Sequence, residues 1–219
     1  MNIFDILTDE DQEEARTRRI NGVAVGIVTN NKDPDGMGRV KLKFPWLSDS
    51  NESYWARIAT LMAGKDRGSF FLPEVDDEVL VAFEHGDINH PYVVGALWNG
   101  VDTPHETNSD GKNNIRQIRS RSGHQITFDD TASKEKVEIL TNAGHKIVLD
   151  DASGQEKLEI IDKTGSNFIK IDSVQNSISI ESAMKLSIKA PMIEIESSGM
   201  MTIKASATMT IKGALVQIN

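Results

Sequence analysis

Four carboxylates, Glu74, Asp76, Asp77 and Glu78, lie within five residues of one another. A pair of carboxylates is the equipment of glycoside cleavage. These four, however, occupy a turn just ahead of an alternating strand, and no neighbouring residues suggest a sugar cleft. Asp33-Pro34-Asp35-Gly36 resembles the start of a calcium loop but lacks the later ligands and the closing Glu. It reads instead as hairpin-turn chemistry. His124 and His145 each follow a glycine and stand 21 residues apart. Imidazole is a common metal ligand, so copies of either His gathered around an axis could hold an ion. The alternative is a polar residue beside a turn glycine. Asp129-Asp130 and Asp150-Asp151 end strands and suit turn capping. The chain has no Cys, which excludes disulfides, thiol catalysis and Cys-based zinc sites. Nucleotide-binding and serine-hydrolase motifs do not occur. The expectation is a protein that is not an enzyme and needs no cofactor.

The 219 residues allow one or two domains. A net charge of −9 argues against a nucleic-acid partner. The acidity sits at the front: residues 1–100 carry 17 acids and 10 bases, whereas 176–219 carry 3 and 4. No apolar run approaches the ~18 residues of a membrane span. The acidic start, Met1–Glu14, does not read as a signal peptide.

Ten of the twelve aromatic residues precede residue 100, so the conventional core belongs there. Residues 1–19 read as an N-terminal arm, with a short helix over 2–18 presenting Ile3, Phe4 and Leu7. Residues 20–100 read as about five strands in a small barrel: Val23–Ile27, Val40–Phe44, Trp55–Leu61, Glu78–Glu84 and Tyr92–Leu97. Residues 101–118 are polar and read as a linker. Over 119–175 a 21-residue repeat appears, with glycines at 123, 144 and 165 and two strands per unit. Its third copy slips near Phe168, which predicts a bulge or a changed loop there.

Residues 176–219 hold only a repeated apolar pair at x and x+2. The pairs are Ile178 with Ile180, Leu186 with Ile188, Ile193 with Ile195, Met201 with Ile203, Met209 with Ile211, and Val216 with Ile218. Spacing by two puts both members on one face of a strand, and the pairs advance by 8, 7, 8, 8 and 7 residues. This is a solenoid pattern. One apolar stripe per chain encloses nothing, so several copies must close around a shared axis. Three copies give a triangular prism, a homotrimeric β-helical needle with these twelve side chains as its core. Burying each contributes about 1.5–3 kcal/mol. Periodicity alone does not set the number of chains, and a single-chain β-helix satisfies the same pattern.

Residues 20–100 resemble the oligonucleotide/oligosaccharide-binding (OB) domain of contractile-tail spikes. That group includes phage baseplate assembly protein V and the valine-glycine repeat spikes of type VI secretion. The resemblance rests on Asp33-Pro34, on Gly38-Arg39-Val40-Lys41-Leu42-Lys43-Phe44-Pro45-Trp46 and on Trp55-Ala56-Arg57. Phe71-Leu72-Pro73, Asp77-Glu78-Val79-Leu80-Val81-Ala82-Phe83, Gly86-Asp87, Pro91 and Gly95 complete it. The family usually has Gly where Asp76 stands, which predicts a changed turn. The family resemblance, continued by the 21-residue units and the terminal stripe, implies an all-β spike with an OB barrel and a trimeric needle. It further implies assembly in the bacterial cytoplasm, incorporation into a virion tail or injection particle, and delivery by the machine. Its implied partners are two further copies, a separate baseplate hub protein, a PAAR-type tip protein at Val216, Gln217, Ile218 and Asn219, and the target cell envelope. A fibre that binds surface polysaccharide and an envelope-degrading enzyme are the rival functions.

Overall fold

The computed structural model describes residues 19–218, excluding the side chains of 48–50. The expected helical arm over 2–18 and the C-terminal Asn219 lie outside the described residues. The chain divides into two compact units, 1–107 and 108–219.

In the first unit, strands β1 (Val23–Asn30), β2 (Lys41–Phe44), β3 (Ser48–Glu52) and β4 (Arg57–Ile58) precede a small hairpin. That hairpin is β5 (Ala63–Gly64) with β6 (Arg67–Gly68), followed by β7 (Glu78–Phe83) and β8 (Pro91–Ala96). The main sheet runs β3-β2-β1-β7-β8-β4. Its edges meet where Val40 and Ala56 exchange backbone hydrogen bonds of 3.0 and 2.7 Å, which closes the sheet into a barrel. Alternation drives the packing: in β2 and β7 every second residue is buried. The core is Val28, Val40, Leu42, Phe44, Ala56, Val79, Val81, Phe83 and Val93. Gly26 lies under two of these, and a Cβ there would stand 3.2 Å from Val81 and 3.3 Å from Phe44.

The barrel agrees with the expected OB architecture, with differences at its margins. Strand β3 was not foreseen because Ser-Asp-Ser-Asn-Glu carries no apolar alternation; backbone pairing to β2 alone defines it. The strand expected over Trp55–Leu61 shrinks to Arg57–Ile58, since the chain leaves the sheet to make the β5–β6 hairpin.

Asp33 organises the loop that the sequence offered as a faint calcium site. Its side chain is only 3% exposed. It accepts from the backbone N–H of Asp35, Met37 and Arg39 at 3.0, 3.1 and 3.3 Å. The Arg39 guanidinium donates to both its oxygens, at 2.8 and 2.7 Å. Arg39 therefore takes the place a cation would occupy. Those side-chain hydrogen bonds, with the backbone donors, hold the Asp33 carboxyl far below the usual carboxylate range. Asp76 stands at φ 77°, with its N–H on Val28 O at 2.9 Å, which places a Cβ in the left-handed region at a steric cost.

The second unit contains β9 (Ile115–Arg119), β10 (Gln125–Asp129), β11 (Lys136–Leu140), β12 (Lys146–Asp150), β13 (Lys157–Ile161), β14 (Phe168–Asp172) and β15 (Ser177–Glu181). They form one antiparallel meander in sequence order. Strand β9 takes up the end of the segment read as a linker. Ile115 and Ile118 are three apart, so they fall on opposite faces and give no alternation signal. The slip near Phe168 is a changed loop and not a bulge. Turn 162–167 has one residue more than turns 120–124 and 141–145, and the Ile160–Ile169 and Leu158–Ile171 pairs beyond it stay in register.

Ile178 with Ile180 was read as the first pair of the needle. It belongs to β15, whose Ile178 and Ile180 face Ile171 and Ile169 of β14. From 182 to 218 the described chain forms no strand or helix. It bends at 183–184, 191, 198–199, 206–207 and 214. The buried core expected of this segment is not formed within one chain. Ile188, Ile195, Ile203, Ile211 and Ile218 all stand exposed, because no second layer lies over them among the described residues. Their partners Leu186, Ile193, Met201, Met209 and Val216 are exposed as well.

Replacing Asp33 by Asn removes both charge-assisted contacts. A depressed carboxyl contributes stability above its unfolded value and loses it as pH falls towards its folded value. The wild-type barrel should therefore hold its Asp33 contribution at pH 5 and lose it only in strong acid. D33N should melt lower at pH 5 and 7, with a flatter acid limb. Fluorescence of the three Trp, all before residue 100, reports this unit selectively. In the same assay, Asp76→Gly should raise stability by up to about 1 kcal/mol.

Candidate assembly interface

The cross-strand pairs of the meander align its apolar residues in two rows on one face. The first row is Ile118, Ile126, Ile139, Ile147, Ile160, Ile169 and Ile180, isoleucine at every strand. The second is Arg116, Phe128, Val137, Leu149, Leu158, Ile171 and Ile178. Every isoleucine of the first row is 39–53% exposed. The opposite face is polar along its middle, with Gln117, Thr127, Glu138, Glu159, Lys170 and Ser179 around Val148. Yet Val148 is 6% exposed, and Glu138, Glu159 and Lys170 are half-buried. Stems of long side chains cover this face, and Lys157–Glu159 and Lys170–Asp172 pair along it at 3.4 and 2.9 Å. The polar side is therefore better covered than the apolar one, the reverse of a folded single-chain sheet.

The terminal segment repeats the inversion. Each stretch between bends holds one expected pair, from Leu186 with Ile188 to Val216 with Ile218. All ten side chains are 45–88% exposed. The second of each pair, always Ile, is the more open: Ile188 exceeds Leu186, and Ile211 exceeds Met209. Each bend includes a small residue or Pro: Ala183, Pro191, Gly199, Ala207 and Ala214. Leu186 joins Ile139, Ile147, Ile160, Ile169 and Ile180 in lining one shallow depression, so the stripe adjoins the Ile row. The terminal pairs are legible in the sequence, whereas the sheet rows are not. Their signal lies in the 21-residue unit, which becomes a row only when hairpin pairing sets Ile126 against Ile139 and Ile147 against Ile160.

The remaining candidates are structural. Asp129 and Asp150 each accept from the N–H two residues on, at 3.0 Å, as strand-ending caps. Asp77 accepts from Glu74 N–H at 2.8 Å, and Glu78 from Asn99 Nδ2 at 3.3 Å, so these carboxylates serve turns. His124 and His145 stand in successive turns at one end of the meander. Each Nδ1 accepts a backbone N–H at 3.2 Å, from Asn142 and Lys163 respectively. Among the described residues, no three His, Asp or Glu side chains gather as a metal site. In the third turn Asp162 replaces the Ser120 and Thr141 hydroxyls. Hydrogen bonds from Asn167 and Thr164 pull its carboxyl down to about 2.

Gly144 holds φ 96°, and a Cβ there would stand 3.6 Å from Lys163 Cβ. Gly144→Ala should cost about 1–2 kcal/mol, read as earlier loss of the strand signal in far-UV circular dichroism during urea titration.

Residues 24–98 match the model of the type VI secretion system/phage-baseplate injector OB domain. The chain is 33% identical over 111 residues to the type VI secretion system spike protein VgrG3 of Vibrio cholerae, covering 47% of this chain and 11% of that protein. It is 32% identical over 108 residues to the spike protein VgrG1a of Pseudomonas aeruginosa, covering 47% and 17%. It is also 32% identical over 111 residues to the actin cross-linking toxin VgrG1 of Vibrio cholerae, covering 47% and 10%. The chain thus spans only between a tenth and a fifth of the length of these relatives. Among the described residues no helix is long and apolar enough to cross a membrane.

Proposed function

With an injector OB domain at residues 24–98 as the premise, we propose that this chain is the homotrimeric central spike of a contractile injection machine. The OB unit seats on a separate baseplate hub protein. The second unit supplies a needle that pierces the target cell envelope and meets a PAAR-type tip protein around Val216–Ile218 and Asn219. The observation that carries this reading is the inverted burial of the second unit, with open apolar rows over 118–218 and a covered polar face. Exposed apolar patches of such extent mark an interaction surface.

Symmetric closure of three chains answers two needs at once. It buries the Ile rows, and it offers hydrogen-bond partners to the backbone of 182–218, which pairs with no strand among the described residues. A single-chain β-helix would stack rungs on itself, and the absence of an in-chain ladder over 182–218 speaks against it. The periodic bends suit a chain that turns from one prism face to the next at each pair. A polysaccharide-binding fibre lacks support, since the segment after 176 carries no aromatic residue. The turn-bound carboxylates at 74–78 give an envelope-degrading enzyme no acid/base pair. The protein's work is mechanical, and no peptidoglycan cleavage is expected of it.

Light scattering should give a native mass of about three times the 24.2 kDa chain. Ile195→Asp with Ile203→Asp places two charges per chain in the shared core. This variant should lose trimer mass while its Trp-reported barrel still melts cooperatively. A wild-type mass of one chain, or an Asp variant that stays trimeric and heat-stable, overturns the reading.

A further inference from the structure

Three successive hairpin turns at one end of the meander are tied by the same kind of contact. His124 Nδ1 in the first turn accepts Asn142 N–H of the second, at 3.2 Å. His145 Nδ1 in the second accepts Lys163 N–H of the third, again at 3.2 Å. In the third turn the extra residue brings Asn167 to this position, and its Oδ1 accepts Ala183 N–H at 3.0 Å and Ser182 Oγ–H at 3.2 Å. Each clasp joins a turn to the next stretch of chain, and each needs a lone pair. An amide oxygen keeps its lone pairs at any pH. An imidazole nitrogen loses its lone pair when the ring takes a second proton, which for histidine falls in the physiological range.

We propose that His124 and His145 form an acid-sensitive zipper along the hairpin ends, with Asn167 as its fixed end. At neutral pH the rings accept and the three turns are tied together. On acidification Nδ1 becomes a donor facing a donor, and the first two clasps open while the third stays shut. Protonation is coupled to release because only the neutral ring can make the contact, an Nδ1 that carries a proton having no lone pair for the Asn142 or Lys163 N–H. The charged groups on the elements around the rings are Arg119 at the end of β9, Arg121 in the first turn, Lys146 at the start of β12, Asp162 and Lys163 in the third turn, and Glu181 at the end of β15, which lines the same depression as His145. Cations and carboxylates are thus both present. The direction of the response comes from the hydrogen-bond geometry. Both rings are exposed, so protons reach them without unfolding.

Hydrogen exchange on the full-length chain at pH 7.5 and 5.5, corrected for intrinsic rates, tests this directly. Protection of the Asn142 and Lys163 amides should fall by about tenfold at pH 5.5. Ala183, held by Asn167, should not change and serves as the internal control. The double variant His124→Asn, His145→Asn should lose the pH response at both amides. Equal protection of Asn142 and Lys163 at both pH values overturns the proposal. So does a parallel change at Ala183, or a response that survives in the double variant. Native mass, read in the same samples, separates this result from the state of assembly.

Discussion

A strand of five residues with two apolar side chains on one face needs a second layer to cover them, and the second unit of this chain supplies none. Its turns are too short to fold back over the sheet, and its terminal segment holds its own uncovered stripe. The hydrophobic driving force over 118–218 is therefore left unused within one copy. Everything else about the unit is compatible with that constraint. The strands are equal in length, the apolar rows are in register, the corners are small, and the polar face is already covered by its own lysine and glutamate stems. Uniformity of this kind suits stacking in a repeating assembly, whereas a globular core draws on irregular interlocking shapes.

The first unit solves the same problem differently. Its sheet curls until Val40 meets Ala56, so the inward residues cover one another within one chain. The loop that leads into β2 is held by one carboxylate receiving five N–H groups, two of them from the Arg39 guanidinium. The chain thus holds one unit whose sheet covers its own apolar residues and another whose apolar rows stay open.

Much of this was legible in the residues. The glycine interval of 21 reports the turn geometry directly, because each glycine sits where φ is positive. The core of the barrel followed from alternation in Val40–Phe44 and Glu78–Phe83. What escaped was set by partners distant in sequence. Strand β3 has no pattern of its own. Ile115 and Ile118 straddle two faces. Ile178 and Ile180 look like any needle pair until β14 is seen beside them. The spacing of Ile188 and Ile211 from their partners fits one strand face, but spacing does not report what covers that face. The clasps of His124 and His145 were also hidden, since their partners are backbone amides 18 residues away, which no spacing of side-chain types reports. A polar residue beside a turn glycine and a ring of imidazoles around an ion both fit the sequence; a stitch between neighbouring turns is the geometry observed.

The longer turn at 162–167 shows where this architecture is forgiving. One added residue at a hairpin end leaves every later cross-strand pair in place, whereas one added within a strand would send both rows to the wrong face. Change in length is thus admitted in two sizes only: loose residues in turns, which alter nothing along the ladder, and whole hairpins of about 21 residues, which extend it. Each inserted hairpin adds two strands, about 9–10 Å along the ladder. The meander is in this sense a ruler with fixed graduations, whose reach can be reset by duplicating or deleting units without redesigning a single contact.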